Sequence, residues 1–289
     1  MTVNPERYLE QARNRLEQAL ASYLQPEDSP VMAAMRYSVL GGGKRFRPLL
    51  LLASGQHFGA AEELLLPYAC ALELIHNYSL IHDDLPLMDN DDFRRGQPSC
   101  HKKFGEALAL LAGDGLLTLA FEILAAAPAP GHCYQLKDRI TAEIAMAAGA
   151  RGMIAGQWLD ISFNPDNRDL AAFEETALKK TAGLIRVAAV SGARLAAAPA
   201  EAVAALDGYG RYLGLAFQLR DDLQDLDRDR LPGQAFRPNL AAVLGLKAAS
   251  KLLSDWLNLA LQELRRADID SEILTFFINQ LQPDRENQL

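Results

Sequence analysis

Two aspartate-rich segments carry the plainest chemistry in this chain. The first reads His82-Asp83-Asp84-Leu85-Pro86-Leu87-Met88-Asp89-Asn90-Asp91-Asp92. On an ideal helix, turning about 100° per residue, Asp83 and Asp89 would lie on different faces. Pro86 resolves this, because it disfavours helix at the residue before it and has no N–H to donate. The helix stops, and Asp89 swings back from a loop toward Asp83, with Asp84 beside them. The second segment reads Gln218-Leu219-Arg220-Asp221-Asp222-Leu223-Gln224-Asp225. Here the spacing is helical, with Asp221 and Asp225 one turn apart on one face and Asp222 flanking them. Like charges so placed destabilise a helix by a few tenths of a kcal/mol. Two such concentrations on apolar helices call for a cation. Oxygen-only ligands suit Mg²⁺, which takes one or two carboxylates, keeps waters and binds substrate phosphates. Neither segment has the sixth-position glycine and twelfth-position glutamate of a Ca²⁺ loop. For either run alone, a solvated acidic face is the plain alternative; the pair, with its apolar flanks, favours metal.

Basic groups accompany the carboxylates. Gly41-Gly42-Gly43-Lys44-Arg45-Phe46-Arg47-Pro48 sets three cations beside permissive backbone and a helix start, an arrangement that suits an anion. Arg47 offers a bidentate fork and Lys44 a point charge. The GxxxxGK[ST] phosphate loop is absent, and alone the segment reads equally well as a surface turn. Arg94-Arg95-Gly96 follows the first acidic run directly, and Lys179-Lys180-Thr181 sits in an otherwise apolar helix. His76 stands two turns before Asp84. The plain alternatives are an exposed loop, a solvated helix face and a satisfied polar histidine.

The elements that must position these residues are helical. Asn4-Pro5-Glu6 reads as a helix N-cap, a proline at the first position and an acidic first turn. Apolar residues at Tyr8, Ala12, Leu16 and Leu20 follow at spacings of four. Breaks are expected at Pro26–Pro30 and at Gly41-Gly42-Gly43. Helices are expected from Arg47-Pro48 to about His57, from Ala60 to Asp84, and from Phe104 to about Leu124. Further ones are expected over Tyr134–Ile161, Leu170–Ala197, Ala202–Asp227, Ala241–Arg266 and Ser271–Leu281. No strand alternation of useful length and no fixed-period repeat is present. The chain, 289 residues long, reads as one helical domain over residues 1–289, with a frayed polar tail at 282–289.

Composition narrows the function class. A formal net charge of −8 makes the chain a poor general nucleic-acid binder. The three cysteines, Cys70, Cys100 and Cys133, have neither CxxC spacing nor an even count, so a reducing cytoplasm is the simple expectation. The most apolar stretch, Ala107 to Ala127, is interrupted by Gly113-Asp114-Gly115 and Glu122, which favours a buried helix over a membrane span.

Taken together, GGGKRFRP, HNYSLIHDDLPLMDNDDFRRGQPSCHKKFGEALALLAGDGLL, GMIAGQWLD, KKTAGLIR and GLAFQLRDDLQD resemble the trans-prenyltransferases, or polyprenyl synthetases, and within them the bacterial farnesyl diphosphate synthases. The match runs from about Met35 to Asp229 in the family's order and spacing. It implies an all-α isoprenoid synthase fold, helices around a central active-site cavity, and a homodimer. It implies Mg²⁺ held by Asp83, Asp84, Asp89, Asp221, Asp222 and Asp225, with Asp83, Asp89 and Asp221 the direct ligands. Arg94 and Lys180 would bind the allylic diphosphate. Lys44, Arg47, His76 and Arg95 match the isopentenyl diphosphate site, Thr181 and Gln218 face the developing carbocation, and Gln157 and Asp160 are a further polar pair. The implied reaction joins isopentenyl diphosphate to dimethylallyl or geranyl diphosphate, giving farnesyl diphosphate.

Tyr78 stands five residues before Asp83, roughly 7.5 Å down the helix from the metal site. A bulky ring there would floor the cavity, and together with the Leu85-Pro86 insertion it resembles the farnesyl synthases. Geranylgeranyl or geranyl diphosphate as product is the alternative. The chain departs from the family after Asp225. Arg237 stands where a substrate-binding lysine is expected, and Asn239 and Leu240 replace a threonine and a tyrosine. A terpene cyclase is a weaker reading, since its second metal motif has other ligands. A non-catalytic partner subunit or prenyl diphosphate-binding protein has only the altered loop in its favour.

Overall fold

The computed structural model describes residues 4–26, 28–129, 133–163, 169–226 and 239–282. Helix α1 (Pro5–Tyr23) starts as expected: Asn4 Oδ1 accepts from the Arg7 N–H at 3.0 Å, and Leu9, Ala12, Leu16 and Leu20 are buried. Helices α2 (Pro30–Leu40), α3 (Phe46–His57) and α4 (Glu62–Asp83) follow. After the first acidic loop come α5 (Cys100–Phe104), α6 (Glu106–Ala126), α7 (Tyr134–Ala148), α8 (Met153–Ile161) and α9 (Leu170–Ala177). A π-turn over Leu178–Ala182 joins α9 to α10 (Gly183–Leu195). The chain continues with α11 (Ala200–Asp225), α12 (Leu240–Leu244), α13 (Leu246–Arg266) and α14 (Glu272–Asn279).

Three expected helices are broken where glycine changes the backbone. Tyr134–Ile161 splits into α7 and α8, because Gly149 turns to extended ψ of −165° and Gly152 leaves helical geometry. Phe104–Leu124 and Ala241–Arg266 are cut at Gly105 (φ 87°) and Gly245 (φ 80°), left-handed conformations that end a helix. A hairpin of two-residue strands, β1 (Phe93–Arg94) and β2 (Gln97–Pro98), was not expected either. It turns on Arg95 and Gly96, both at positive φ, as a two-residue hairpin loop prefers.

One apolar cluster runs through the bundle from Leu9 to Leu281. Helix α4 packs against α3 and α6, α10 against α3 and α11, and α11 against α13. The two longest helices, α4 with 22 residues and α11 with 26, each finish on aspartates. By length and apolarity α4 and α6 could each cross a membrane. Within the bundle α4 is largely buried, whereas α6 buries one side and leaves Leu110 and Leu111 half exposed.

A buried ionic network fixes the glycine-rich segment. Arg45, at left-handed φ of 51°, bonds Glu73 Oε1 at 2.5 Å, Glu17 Oε1 at 2.7 Å and the Val39 carbonyl at 2.5 Å. Burial works against its charge, but Glu73 and Glu17 outweigh that and hold the guanidinium firmly protonated. The chain of contacts continues: Asn77 donates to Glu73 Oε1 at 2.8 Å and accepts from Arg95 at 3.3 Å, while Arg95 also donates to the Gly42 carbonyl. Arg45 is thus scaffold at the edge of the cavity, its guanidinium engaged by these partners, and Lys44 and Arg47 beside it line the same cavity. Removing one member of a buried pair strands the other charge. Arg45→Met is expected to lower unfolding free energy by about 3–5 kcal/mol, read from urea denaturation; a loss below about 1 kcal/mol would show that the network does not hold this segment.

Candidate active site

Between the carboxyl ends of α4 and α11 lies a cavity of about 1230 Å³. Its walls gather Lys44, Arg47, His76, Tyr78, Asp83, Arg94, Arg95, Gln157, Lys180, Thr181, Gln218 and Asp221. Twelve side chains singled out from sequence thus meet at one surface, although they come from four helices, the π-turn and two loops. Leu117, Met153, Ile154, Trp158 and Phe217 supply apolar wall that sequence reasoning did not name. Phe217, next to Gln218, lies 5.7 Å from Lys44 Nζ and 5.8 Å from the Arg47 guanidinium, so it supports both cations through its ring face. Adjacency to Gln218 was the available signal for it.

The first motif folds as its proline suggested. Helix α4 ends at Asp83, and the chain doubles back so that the Asp89 N–H donates to the Asp83 carbonyl at 2.8 Å. Burial pushes the Asp83 carboxyl up to about 7; Asp89 and Asp160 add to this, and Lys180 and Arg94 oppose it. Asp84 goes elsewhere. It is 2% exposed and lies off the cavity wall, where it accepts from Arg94 Nε at 2.9 Å and again from Arg94 Nη2. Arg94 also reaches Asp91 at 3.1 Å. Asp84 therefore ties the hairpin back to α4.

The second motif divides in the same way. Asp221 faces the cavity, with burial and Asp225 raising its carboxyl and Lys44, Arg47 and Arg220 lowering it. Asp222 turns away: Oδ1 accepts from Gln218 at 2.9 Å and Oδ2 from the Leu240 backbone N–H at 2.9 Å, while Asn239 Nδ2 donates to its carbonyl at 2.8 Å. The residues that depart from the family pattern, Asn239 and Leu240, thus close onto the second motif, Leu240 through its backbone N–H and Asn239 through its side-chain amide. Arg237 lies outside the described residues.

Facing both motifs is the π-turn. A π-turn inserts one extra residue into a helix and re-aims its side chains. Here it presents Lys180 and Thr181 to the cavity. Lys180 Nζ bonds Asp160 Oδ2 at 2.5 Å; burial opposes its charge, but Asp160 and Asp83 outweigh that and raise it. Thr181 donates to Gln218 Oε1 at 2.6 Å. Helix α8 touches the turn backbone to backbone, since a Cβ on Gly156 would fall 2.2 Å from the Lys180 nitrogen. Both amide atoms of Gln157 and Nε of Arg47 are buried without a hydrogen-bond partner among the described residues, a state that polar ligand atoms would relieve. His76 is held neutral, first by burial and then by Arg47 and Arg95.

The donor set fits Mg²⁺. The cavity-facing groups of the two motifs, Asp83 and Asp221, offer carboxylate oxygens, the donor type Mg²⁺ takes one or two of; among the described residues no three acidic, histidine or cysteine side chains are placed to hold an ion. Burial also predicts a pH response. Asp222, like Asp83, is pushed up to about 7 by burial against its bonds from Gln218 and Leu240. Each carboxyl keeps its proton in the fold at pH values where the unfolded chain has lost it. The folded state then binds more protons, so stability falls as pH rises from the ordinary carboxylate range through about 7. In metal-free protein, the double variant Asp83→Asn/Asp222→Asn should flatten this slope between about pH 4 and about pH 7 in melting experiments; an unchanged slope would contradict the assignment.

The comparisons agree with this geometry. The sequence pattern of the family described as polyprenyl synthetase matches residues 28–231. The farnesyl diphosphate synthase of Geobacillus stearothermophilus is 39% identical, over 94% of this chain and 95% of that protein. The farnesyl diphosphate synthase of Escherichia coli (strain K12) is 42% identical, over 89% of this chain and 90% of that protein. A crystal structure of a FPP/GFPP synthase from Zymomonas mobilis superposes with a TM-score of 0.84 at 34% identity, covering 96% of this chain and 100% of that one. The all-α isoprenoid synthase fold accounts for the likeness along the whole bundle, and the chain belongs to the polyprenyl synthetase family.

Proposed function

We propose that this protein condenses isopentenyl diphosphate with dimethylallyl or geranyl diphosphate, yielding farnesyl diphosphate and free diphosphate. The observation that carries the reading is a single apolar cavity with carboxylates from α4 and α11 on its rim and cations from three other segments beside them. Relatives named farnesyl diphosphate synthase along most of the chain support it.

Each part of the site has a task in that reaction. Breaking the allylic carbon–oxygen bond sends both electrons to the diphosphate, and Lys180 and Arg94 stand ready for that growing charge. Asp83, Asp89 and Asp221 would hold Mg²⁺, which supplies Lewis-acid stabilisation of the leaving diphosphate. Lys44, Arg47 and Arg95 bind the second diphosphate, Arg47 with a buried nitrogen still to be satisfied. Neutral His76 adds a hydrogen bond there without further charge. The allylic cation must meet an alkene and not water, so the lining is apolar, with Thr181 and Gln218 giving oxygen dipoles nearby. The new carbon–carbon bond forms, and the last proton goes to the departed diphosphate. Tyr78, buried in the cavity wall, blocks further growth.

The homodimer implied by the resemblance would cover the apolar sides of α6 and α7, where Leu110, Leu111, Tyr134 and Met146 are exposed. A cytoplasmic setting fits three free thiols, two of them buried. A relative named geranylgeranyl pyrophosphate synthase keeps that longer product as the second reading.

Three measurements test this. Incubation with both substrates and Mg²⁺, followed by dephosphorylation, should give farnesol; geranylgeraniol as the main alcohol would favour the second reading, and no alcohol would sink the condensation. Chelation of the metal should abolish turnover, and Asp83→Asn should lower kcat about 10²-fold or more. Tyr78→Ala should lengthen the product, and an active variant with an unchanged product would remove Tyr78 as the floor.

A further inference from the structure

His82 lies next to Asp83 but has no task in the chemistry above. It is nevertheless held from several sides. Its Nε2 lies 3.1 Å from the Leu110 carbonyl oxygen on α6, so that nitrogen carries the proton and donates it. Asp114 Oδ1 stands 3.9 Å from the same atom. The imidazole meets the ring of Tyr78, one turn earlier on α4, with centroids 5.7 Å apart and planes at 80°, an edge-on contact of the favourable kind. What admits the ring to α6 is Gly113: a Cβ there would fall 2.0 Å from His82 Nε2 and 2.4 Å from Cδ2. Glycine inside a helix costs about 1 kcal/mol relative to alanine. Local propensity therefore argues against glycine at 113, and the imidazole supplies the reason for it. Tyr78, His82 and Leu117, one turn beyond Gly113, line the same cavity.

We propose that Gly113 and His82 are positioning residues for product length. The glycine seats the imidazole against α6, and the imidazole fixes the Tyr78 ring across the path of the growing chain. This rests on the condensation reading above. A methyl group at position 113 takes the space of the imidazole, breaks its bond to the Leu110 carbonyl and leaves Tyr78 without its edge partner. The tyrosine is then free to take another rotamer, and the floor opens. His82 touches neither the diphosphates nor the reacting carbons in this scheme; it acts through Tyr78.

The test compares product alcohols from the wild type, Gly113→Ala, His82→Ala and their combination. Gly113→Ala should raise the ratio of geranylgeraniol to farnesol by about tenfold or more, the scale of small steric changes in an apolar pocket. His82→Ala should move the ratio the same way. The double variant should go no further than His82→Ala alone, because both changes remove one contact. In a Tyr78→Ala background, Gly113→Ala should add nothing. Slower turnover at a constant product ratio, or effects that multiply in the double variant, would overturn the seat. The same proteins are also titrated calorimetrically with farnesyl and geranylgeranyl diphosphate, where Gly113→Ala should shift relative affinity toward the longer tail. If that shift occurs and no protein condenses substrate, the condensation reading fails and the seat stands. If the wild type condenses and neither ratio moves, the seat fails alone.

Discussion

Negative charge gathered at the ends of two long helices is the constraint to which the rest of this structure answers. Helices α4 and α11 both finish in aspartates beside one cavity. A helix C-terminus already carries partial negative charge, so acidic residues there are unfavourable. Burial makes matters worse, as the raised Asp83 and Asp222 carboxyls show. Three neighbouring segments bring a compensation, while α8 adds a further carboxylate, Asp160. Lys180 comes from the π-turn, Arg94 from the hairpin, and Lys44 and Arg47 from the segment locked by Arg45. A divalent cation at the carboxylates would complete the balance.

The paired aspartates share their labour. In each motif the first carboxylate faces the cavity, and the second ties down the segment that follows. Asp84 holds the hairpin through Arg94; Asp222 holds the start of α12 through the Leu240 N–H. This arrangement makes the acidic runs both a site and a clasp. Substitution at Asp84 or Asp222 therefore disturbs loop placement as well as charge. After the second motif, Leu240 meets Asp222 through its backbone N–H, and Asn239 both donates its amide to the Asp222 carbonyl and caps α12 through the Ala242 N–H.

Much of the site was legible in the sequence because its signals are local. Pro86 within an aspartate run implies a helix stop and a returning loop, and the Asp89-to-Asp83 backbone bond is that return. The one-turn spacing of Asp221 and Asp225 needs only helical periodicity. The glycine-rich basic segment was legible as a cationic turn, but not the division within it. Arg45 and Arg47 are chemically alike in sequence and both border the cavity, yet Arg45 is bound to Glu17 and Glu73 while Arg47 keeps a buried Nε without a partner among the described residues. The helix breaks at Gly105, Gly149–Gly152 and Gly245 have no local signal, because isolated glycines are compatible with helix until a neighbour demands otherwise.

The sequence alone determined that helices dominate and where most of them lie, and that two carboxylate groups and several cations stand near helix ends. Those properties follow from short-range rules of periodicity, capping and proline geometry. Only the tertiary structure decided which carboxylate of each pair faces the cavity, that the helix through Lys180 carries a π-turn, and that Gly113 makes room for His82. These depend on the approach of α8 to the π-turn and of α6 to α4. Contacts between backbones distant along the chain are set by packing of the whole bundle, and no local spacing encodes them.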